Sequence, residues 1–444
     1  MKLLSNLAML WRRDSLSGRA LRSSTWTTVG YVLSQAMRLA SNLVLTRLLA
    51  PEAFGVMALV TSLIVGLQMF SDMGTGPAVQ KSRHGDEPEF LDTIWTVQVV
   101  RGVVLAILSA VVAWPIGQFY GEPIFAQVFP VAALALLIGG FTPTTVDTAM
   151  RHLQVGRLTR LELLAQFLGI VVTVSLAAVM ESVWALAWGG VIASAISVAV
   201  MRFGLGGRIN RFRWAPGPLE ELSSFGRWIF LSTICGFLIF NGDRLVLARY
   251  LSLEELGIYN IAYFLGSVPL LLGSAIAGRL FIPLYRDSPP ADSPANAARI
   301  ARIRIRLSGL LLAMVAVLAF TGEWLVGLLY DPRYAAAGLL VKLIALIQIP
   351  AIVLLGYDVI ALAKGDSYRL FVVQAIRAVI YMACLLTGTH VWGLFGALAG
   401  QAAASLLMYP VTVAIARHYG AWQPRSDLLL GLFGIAVAGL AWLI

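Results

Sequence analysis

Residues 46–60 read TRLLAPEAFGVMALV, and residues 248–262 read ARYLSLEELGIYNIA. In each, an arginine (Arg47, Arg249) precedes a glutamate (Glu52, Glu254) and a glycine (Gly55, Gly257) at one and the same spacing. Pro51 suits the first turn of a helix, an acid suits a helix amino terminus, and glycine lets a neighbouring helix come close. Each stretch therefore reads as a tight hairpin between two helices. A hairpin written twice calls for a search for further repetition. GRLTRL at 156–161 answers GDSYRL at 365–370, keeping Gly156 with Gly365 and Arg160 with Arg369, and VWAL at 183–186 answers VWGL at 391–394. These anchors fall in one order at nearly one offset, which is the mark of a duplication.

Composition says what kind of chain was duplicated. Of 444 residues, 59% are hydrophobic and 13% charged, against about 45–50% and 25% in a soluble domain. Apolar runs of the length a bilayer span needs, about 20 residues, predict thirteen helices near 25–49, 53–71, 92–115, 125–147, 160–180, 183–203, 224–250, 256–282, 304–330, 336–363, 369–389, 391–416 and 427–444. The runs are continuous rather than alternating, which excludes a β-barrel reading. The expected fold is an all-α polytopic membrane protein.

The formal charge of +10 does not point to nucleic acid, because the basic residues alternate by loop instead of gathering on one domain. They crowd the amino end (Lys2, Arg12, Arg13, Arg19, Arg22) and the even-numbered loops: Lys81 and Arg83; Arg151, Arg157 and Arg160; Arg202, Arg208, Arg211 and Arg213; Arg279, Arg286, Arg299, Arg302, Arg304 and Arg306; Lys364 and Arg369; Arg417 and Arg425. The positive-inside rule then places the amino terminus and every even loop in the cytoplasm. The first residues are too rich in arginine, and their apolar run too short, for a cleaved signal peptide. They read as an interfacial segment.

The expected organisation is a cytoplasmic segment (1–24), a first six-helix lobe (25–203), a cytoplasmic linker (204–223), a second six-helix lobe (224–416) and an additional carboxyl-terminal helix (427–444). Six spans return the chain to its starting side, so the lobes are parallel repeats, an arrangement of transporters that bind between repeats and rock one against the other. Cys235 and Cys384 lie inside helices, which argues against a disulfide, and His84, His152, His390 and His418 lack ligand spacing. No metal or cofactor is expected.

The chain resembles the bacterial polysaccharide flippases of the Wzx type, within the multidrug/oligosaccharidyl-lipid/polysaccharide exporter superfamily. The resemblance is carried by RLLAPEAFGVMAL (47–59), SDMGTGPAVQ (71–80), DRLVLARYLSLEELGIYNIA (243–262), RLFIPLYR (279–286) and LAKGD (362–366), in their order and spacing. It implies lobes in a V around a central cavity and an inner-membrane protein that moves undecaprenyl-diphosphate-linked oligosaccharide to the periplasmic leaflet. It also implies a polysaccharide polymerase and a chain-length regulator as companions. One departure is the span count, since the family often has about fourteen.

Polar residues inside spans are expensive and are functional candidates by default. Tyr31, Gln35, Arg38 and Asn42 make one stripe on the first helix, with Arg38 at mid-span. Asn241 and Arg244 mark the seventh helix, Gln98 and Arg101 the third, Gln374 and Arg377 the eleventh. A diphosphate needs cations that hold its oxygens bidentately, and amides suit sugar hydroxyls. These residues are the expected substrate contacts. The plainer alternatives are that Arg101 snorkels to the surface and that Arg244 pairs with a nearby acid. Asp243 and Asp358 are candidates for proton or sodium coupling or for pairing with a cavity arginine, and Asp72 for packing or a helix cap. A cation-coupled multidrug exporter fits the same fold. A membrane glycosyltransferase or polymerase fits less well, because no large extramembrane segment, acidic pair or nucleotide loop is present, and no enzymatic activity is expected.

Overall fold

The structure, a computed structural model, describes residues 16–443, with side chains for 25–218, 231 and 233–443. Lys2, Arg12, Arg13 and the interfacial reading of the first residues lie outside the described residues. The chain is an all-α polytopic membrane protein. Among the described residues nine helices are long and apolar enough to cross a bilayer.

The chain separates into two compact units. The first takes in the residues up to Ala53 together with Leu63–Phe230, and the second Phe54–Ser62 with Leu231–Ile444. In the first, α1 (Leu16–Leu48) begins inside the expected 1–24 segment rather than after it. α1 is absent from the nine because Gln35, Arg38 and Asn42 pull down its hydropathy, so the stripe that marks it as functional also masks it as a span. Helix α2 (Pro51–Phe70), of which Phe54–Ser62 belongs to the second unit, follows with Pro51 at its first position and Glu52 in its first turn, as its sequence requires. A short α3 (Thr75–Lys81) leads to α4 (Pro88–Tyr120) and α5 (Pro123–Gly140), and a short α6 (Thr145–Arg151) to α7 (Val155–Met180) and α8 (Val183–Leu205).

The second unit departs from expectation at prolines. Helix α9 (Pro216–Tyr250) straddles the division. The single span expected at 256–282 is instead α10 (Leu253–Gly266) and α11 (Val268–Asp287), parted at Ser267. Pro269 has no N–H to give to the preceding turn, and that breaks the ladder. Helix α12 (Pro294–Leu329) is continuous, but the span expected at 336–363 is broken into α13 (Ala337–Ile347), α14 (Ile349–Val353) and α15 (Ile360–Ala363), with Pro350 at the first break. The expected helices 369–389 and 391–416 form one assigned element, α16 (Ser367–His418), bent back at Trp392 and Gly393. Gly393 has φ 59°, a left-handed geometry that glycine adopts without strain. The two arms then pack so closely that a Cβ on Gly388 would stand 2.1 Å from the Gly396 oxygen. The chain ends in α17 (Pro424–Leu443).

Within the second unit, Gly55 of the first hairpin approaches the second. A Cβ on Gly55 would stand 1.9 Å from the carbonyl oxygen of Leu253, so glycine there admits the start of α10 against α2. At the second hairpin Glu254 lies in the first turn of the helix, as expected, and Glu255 beside it closes the cap. Ser252 accepts from the Glu255 N–H, and the Glu255 carboxylate accepts from the Ser252 N–H at 2.9 Å, a capping box.

Candidate functional site

In the first unit, Gln98 and Arg101 stand one turn apart on α4 and line one cavity of about 280 Å³ with Gln68, Thr75 and Thr142. Gln98 donates to Thr75 Oγ1 at 3.3 Å. Arg101 donates from Nε to Ser71 Oγ at 2.9 Å and from Nη2 to the Gln68 carbonyl at 2.8 Å. Its Nη1 is 3.7 Å from Asp72, too far for a hydrogen bond. Asp72 meanwhile caps the turn after α2, accepting from the Gly74 N–H at 2.9 Å. The guanidinium is thus aimed by two neutral acceptors and faces its carboxylate only loosely.

The α1 stripe is not gathered with these residues. Gln35 and Asn42 are half-buried, the Asn42 side-chain oxygen has no hydrogen-bond partner among the described residues, and Arg38 is exposed. Among the described residues Arg38 makes no hydrogen bond or ion pair. Ser34, on the same helix, donates to Gln166 of α7 at 2.7 Å. Below that contact a second cavity of about 330 Å³ is lined by Ser41, Glu162, Gln166, Thr173 and Ser197. Sequence reasoning passed over Glu162, which sits close to the basic run Arg157 and Arg160 and reads as a loop-end charge.

In the second unit, neighbouring residues of α9 reach across the hairpin to neighbouring residues of α10. Tyr259 donates to Asp243 Oδ2 at 2.6 Å, and Arg244 Nε donates to Asn260 Oδ1 at 3.2 Å, both partners sixteen residues away. Arg244 also lies 4.6 Å from the Tyr263 ring centre and 3.7 Å from Asp243. Asp243 is 1% exposed, and its Oδ1 has no hydrogen-bond partner among the described residues. Arg244 thus takes the pairing that was its plainer alternative. Asn241 is half-buried one turn before Arg244 on α9.

Arg377 and Asp358 are partners, the pairing with a cavity arginine that was one of the two roles open to Asp358. Both guanidinium termini reach the carboxylate, a forked ion pair with Arg377 on α16 and Asp358 in the turns between α14 and α15. Gln374, one turn earlier, keeps its side-chain oxygen buried without a hydrogen-bond partner among the described residues.

A buried polar cluster of this unit was not foreseen. Arg304, counted among loop charges, is fully buried on α12. It donates to the Leu355 and Val353 carbonyls, to Tyr357 and to Asp427, and its guanidinium lies 3.9 Å from the Tyr357 ring centre. The signal was Asp427, an acid at the head of the last apolar run. A buried charge of that kind requires a partner.

The sequence profile described as "Polysaccharide biosynthesis protein" matches residues 44–338. The chain is 24% identical over 277 residues to the lipopolysaccharide biosynthesis protein WzxC of Escherichia coli K12, a match that covers 61% of this chain and 55% of that one. It is 23% identical over 263 residues to the succinoglycan biosynthesis transport protein ExoT of Rhizobium meliloti, covering 59% and 52%. The chain thus spans about half the length of these two curated relatives. The teichuronic acid biosynthesis protein TuaB of Bacillus subtilis is 19% identical over 445 residues, 96% of this chain and 90% of that one. Among solved structures, the lipid II flippase MurJ in an inward closed conformation superposes with a TM-score of 0.68 at 11% identity, covering 92% of this chain and 90% of that one. An inward-facing multidrug resistance MATE family transporter superposes with 0.64 at 13%, covering 86% and 95%. At such identities the two structures share the fold with this chain, and nothing finer.

Proposed function

The chain belongs to the polysaccharide biosynthesis protein family, and on that premise we propose that it is a flippase for undecaprenyl-diphosphate-linked oligosaccharide. It carries the repeat unit from the cytoplasmic to the periplasmic leaflet of the inner membrane by alternating access, with its amino terminus in the cytoplasm. It makes and breaks no covalent bond, and a polysaccharide polymerase and a chain-length regulator act on what it delivers. The names of the curated relatives, all concerned with surface or exported polysaccharide, support this reading.

The observation that carries it is Arg101. A guanidinium inside an apolar helix, oriented by Ser71 and the Gln68 carbonyl and only loosely faced by Asp72, is suited to exchange that carboxylate for a phosphate oxygen. Gln98, Thr75 and Thr142 offer the adjoining cavity wall to hydroxyls. Arg38 and Arg244 supply further intramembrane cations. Gln35, Asn42, Asn241 and Gln374 supply amides, and Arg377 belongs to this set once released from Asp358. In a strain lacking the gene, Arg101→Ala and Arg38→Ala should each restore at most a small fraction of surface polysaccharide at unchanged protein level, and Arg101→Lys more than Arg101→Ala. Full surface polysaccharide from both alanine variants would overturn the site.

One observation favours a second reading. Asp243 keeps a buried oxygen that accepts no hydrogen bond among the described residues and is faced only by Arg244 at 3.7 Å, and it suits a proton or sodium ion, whereas Asp358 is occupied by Arg377. It serves coupling in the flippase, and it would serve a cation-coupled multidrug exporter equally. Resistance to lipophilic cations conferred by the wild-type gene, with no effect on polysaccharide, would select the exporter.

A further inference from the structure

Residues 206–215 join α8 to α9 without regular secondary structure, yet they are clamped to the first turns of α4. Asp92, 2% exposed, accepts from Arg208 Nη2 at 2.5 Å and from the Arg211 N–H at 3.1 Å. Glu89 pairs with Arg213 at 3.0 Å, Thr96 accepts from the Arg213 N–H at 2.9 Å, and Asn210 donates to Thr144 Oγ1 at 2.7 Å.

A strap clamped by its backbone and its charges would ordinarily turn apolar side chains inward. This one turns them out: Ile209, Phe212 and Trp214 are 66%, 68% and 63% exposed. Phe212 leans on Trp95 of α4, ring centres 4.9 Å apart, which fixes its direction. Between them Arg211 is exposed, and its guanidinium makes no ion pair among the described residues. Depth follows from length. The 33 residues of α4 extend about 50 Å, some 20 Å more than the hydrocarbon core. Its acids, Glu89 and Asp92, lie in its first two turns, so those turns stand at headgroup level, and Arg101 lies farther in along the helix.

Large apolar and aromatic side chains beside guanidinium groups at that level are the two signatures of a segment lying in the membrane interface. We propose that residues 206–215 form an interfacial anchor, with Ile209, Phe212 and Trp214 seated at the acyl boundary and Arg211 on the phosphate of an anionic phospholipid. Charge selects this occupant: the strap's own carboxylate partners satisfy Arg208 and Arg213, and Arg211 is left for an external anion. The leaflet follows from the orientation proposed above, whereas the lipid contact does not depend on it.

The test uses the full chain with Cys235→Ala, Cys384→Ala and Ile209→Cys, spin-labelled and reconstituted in vesicles of phosphatidylcholine with or without phosphatidylglycerol. The label is expected to meet dissolved oxygen more readily than a water-soluble nickel chelate, more so with phosphatidylglycerol. Arg211→Glu should lower phosphatidylglycerol binding to the unlabelled protein in native mass spectrometry about fivefold, and Arg211→Gln by less. A label open to the nickel chelate in both vesicles, or one shielded only when soluble protein extract is added, overturns the anchor. So does an unchanged lipid affinity in both Arg211 variants.

Discussion

Arg304 shows what a buried charge implies for a single residue. Every direction its guanidinium faces is filled: the carbonyls of Val353 at the end of α14 and of Leu355 just beyond it, the Tyr357 hydroxyl, and Asp427 on the last helix. Removing one member leaves the other charge buried and alone, at a cost of about 3–5 kcal/mol, while replacing both with apolar residues of similar size restores much of it. Thermal unfolding in detergent should therefore rank Arg304→Met and Asp427→Leu each well below the wild type, and the double substitution above either single one. A double variant at least as unstable as the sum of the singles would refute the pairing. Asp86 gives a pH dependence outside the membrane. The hydrogen bond from His152, supported by Arg151, holds its carboxyl below the usual carboxylate range. A lowered folded value means that the contact contributes above the unfolded value of about 4 and fades as pH falls through the folded one. The melting temperature of Asp86→Asn should lie below the wild type at neutral pH, with the gap closing under acid. A gap that widens under acid would contradict the assignment.

At the scale of elements, the hairpin at 46–60 is the decisive piece, and Gly55 is its tightest point. With the Leu253 oxygen 1.9 Å from where a Cβ would stand, α2 and α10 must separate for any larger side chain. Gly55→Val should destabilise by about 1–3 kcal/mol, read as a lower melting temperature and faster proteolysis, whereas a wild-type melting curve would show that the approach is not real. This close contact was legible as a glycine at fixed spacing, though not that its neighbour is the second hairpin. The sequence also marked Asp243 and Arg244 as intramembrane charges, but their partners Tyr259 and Asn260 were concealed because sixteen residues of separation become adjacency only when the hairpin closes. At the offset of the repeated hairpin, Asn42 stands where Arg244 does, and Met57 and Ala58 where Tyr259 and Asn260 do. The polar pairing is thus written into one hairpin only. Breaks at Ser267 and Gln348 escaped because the apolar runs across Pro269 and Pro350 are unbroken in composition. Hydropathy counts side chains, and a missing N–H leaves no trace in it.

At the scale of the molecule, composition and loop charge were sufficient for an all-helical membrane protein, and the order of degenerate motifs for its family. The burial of Arg304 was beyond them, because in sequence it stands among Arg299, Arg302 and Arg306, whose charges report topology. The account's central claim is that this fold carries a lipid diphosphate bearing sugars across the bilayer. It is tested most directly in proteoliposomes holding a fluorescent undecaprenyl-diphosphate-linked disaccharide, with an impermeant quencher added outside. The account predicts that the quenched fraction rises, with wild-type protein, beyond the outer-leaflet share seen in protein-free vesicles, and that Arg101→Ala returns it toward that share. A quenched fraction equal to that of protein-free vesicles, from protein that is folded and correctly inserted, would contradict it.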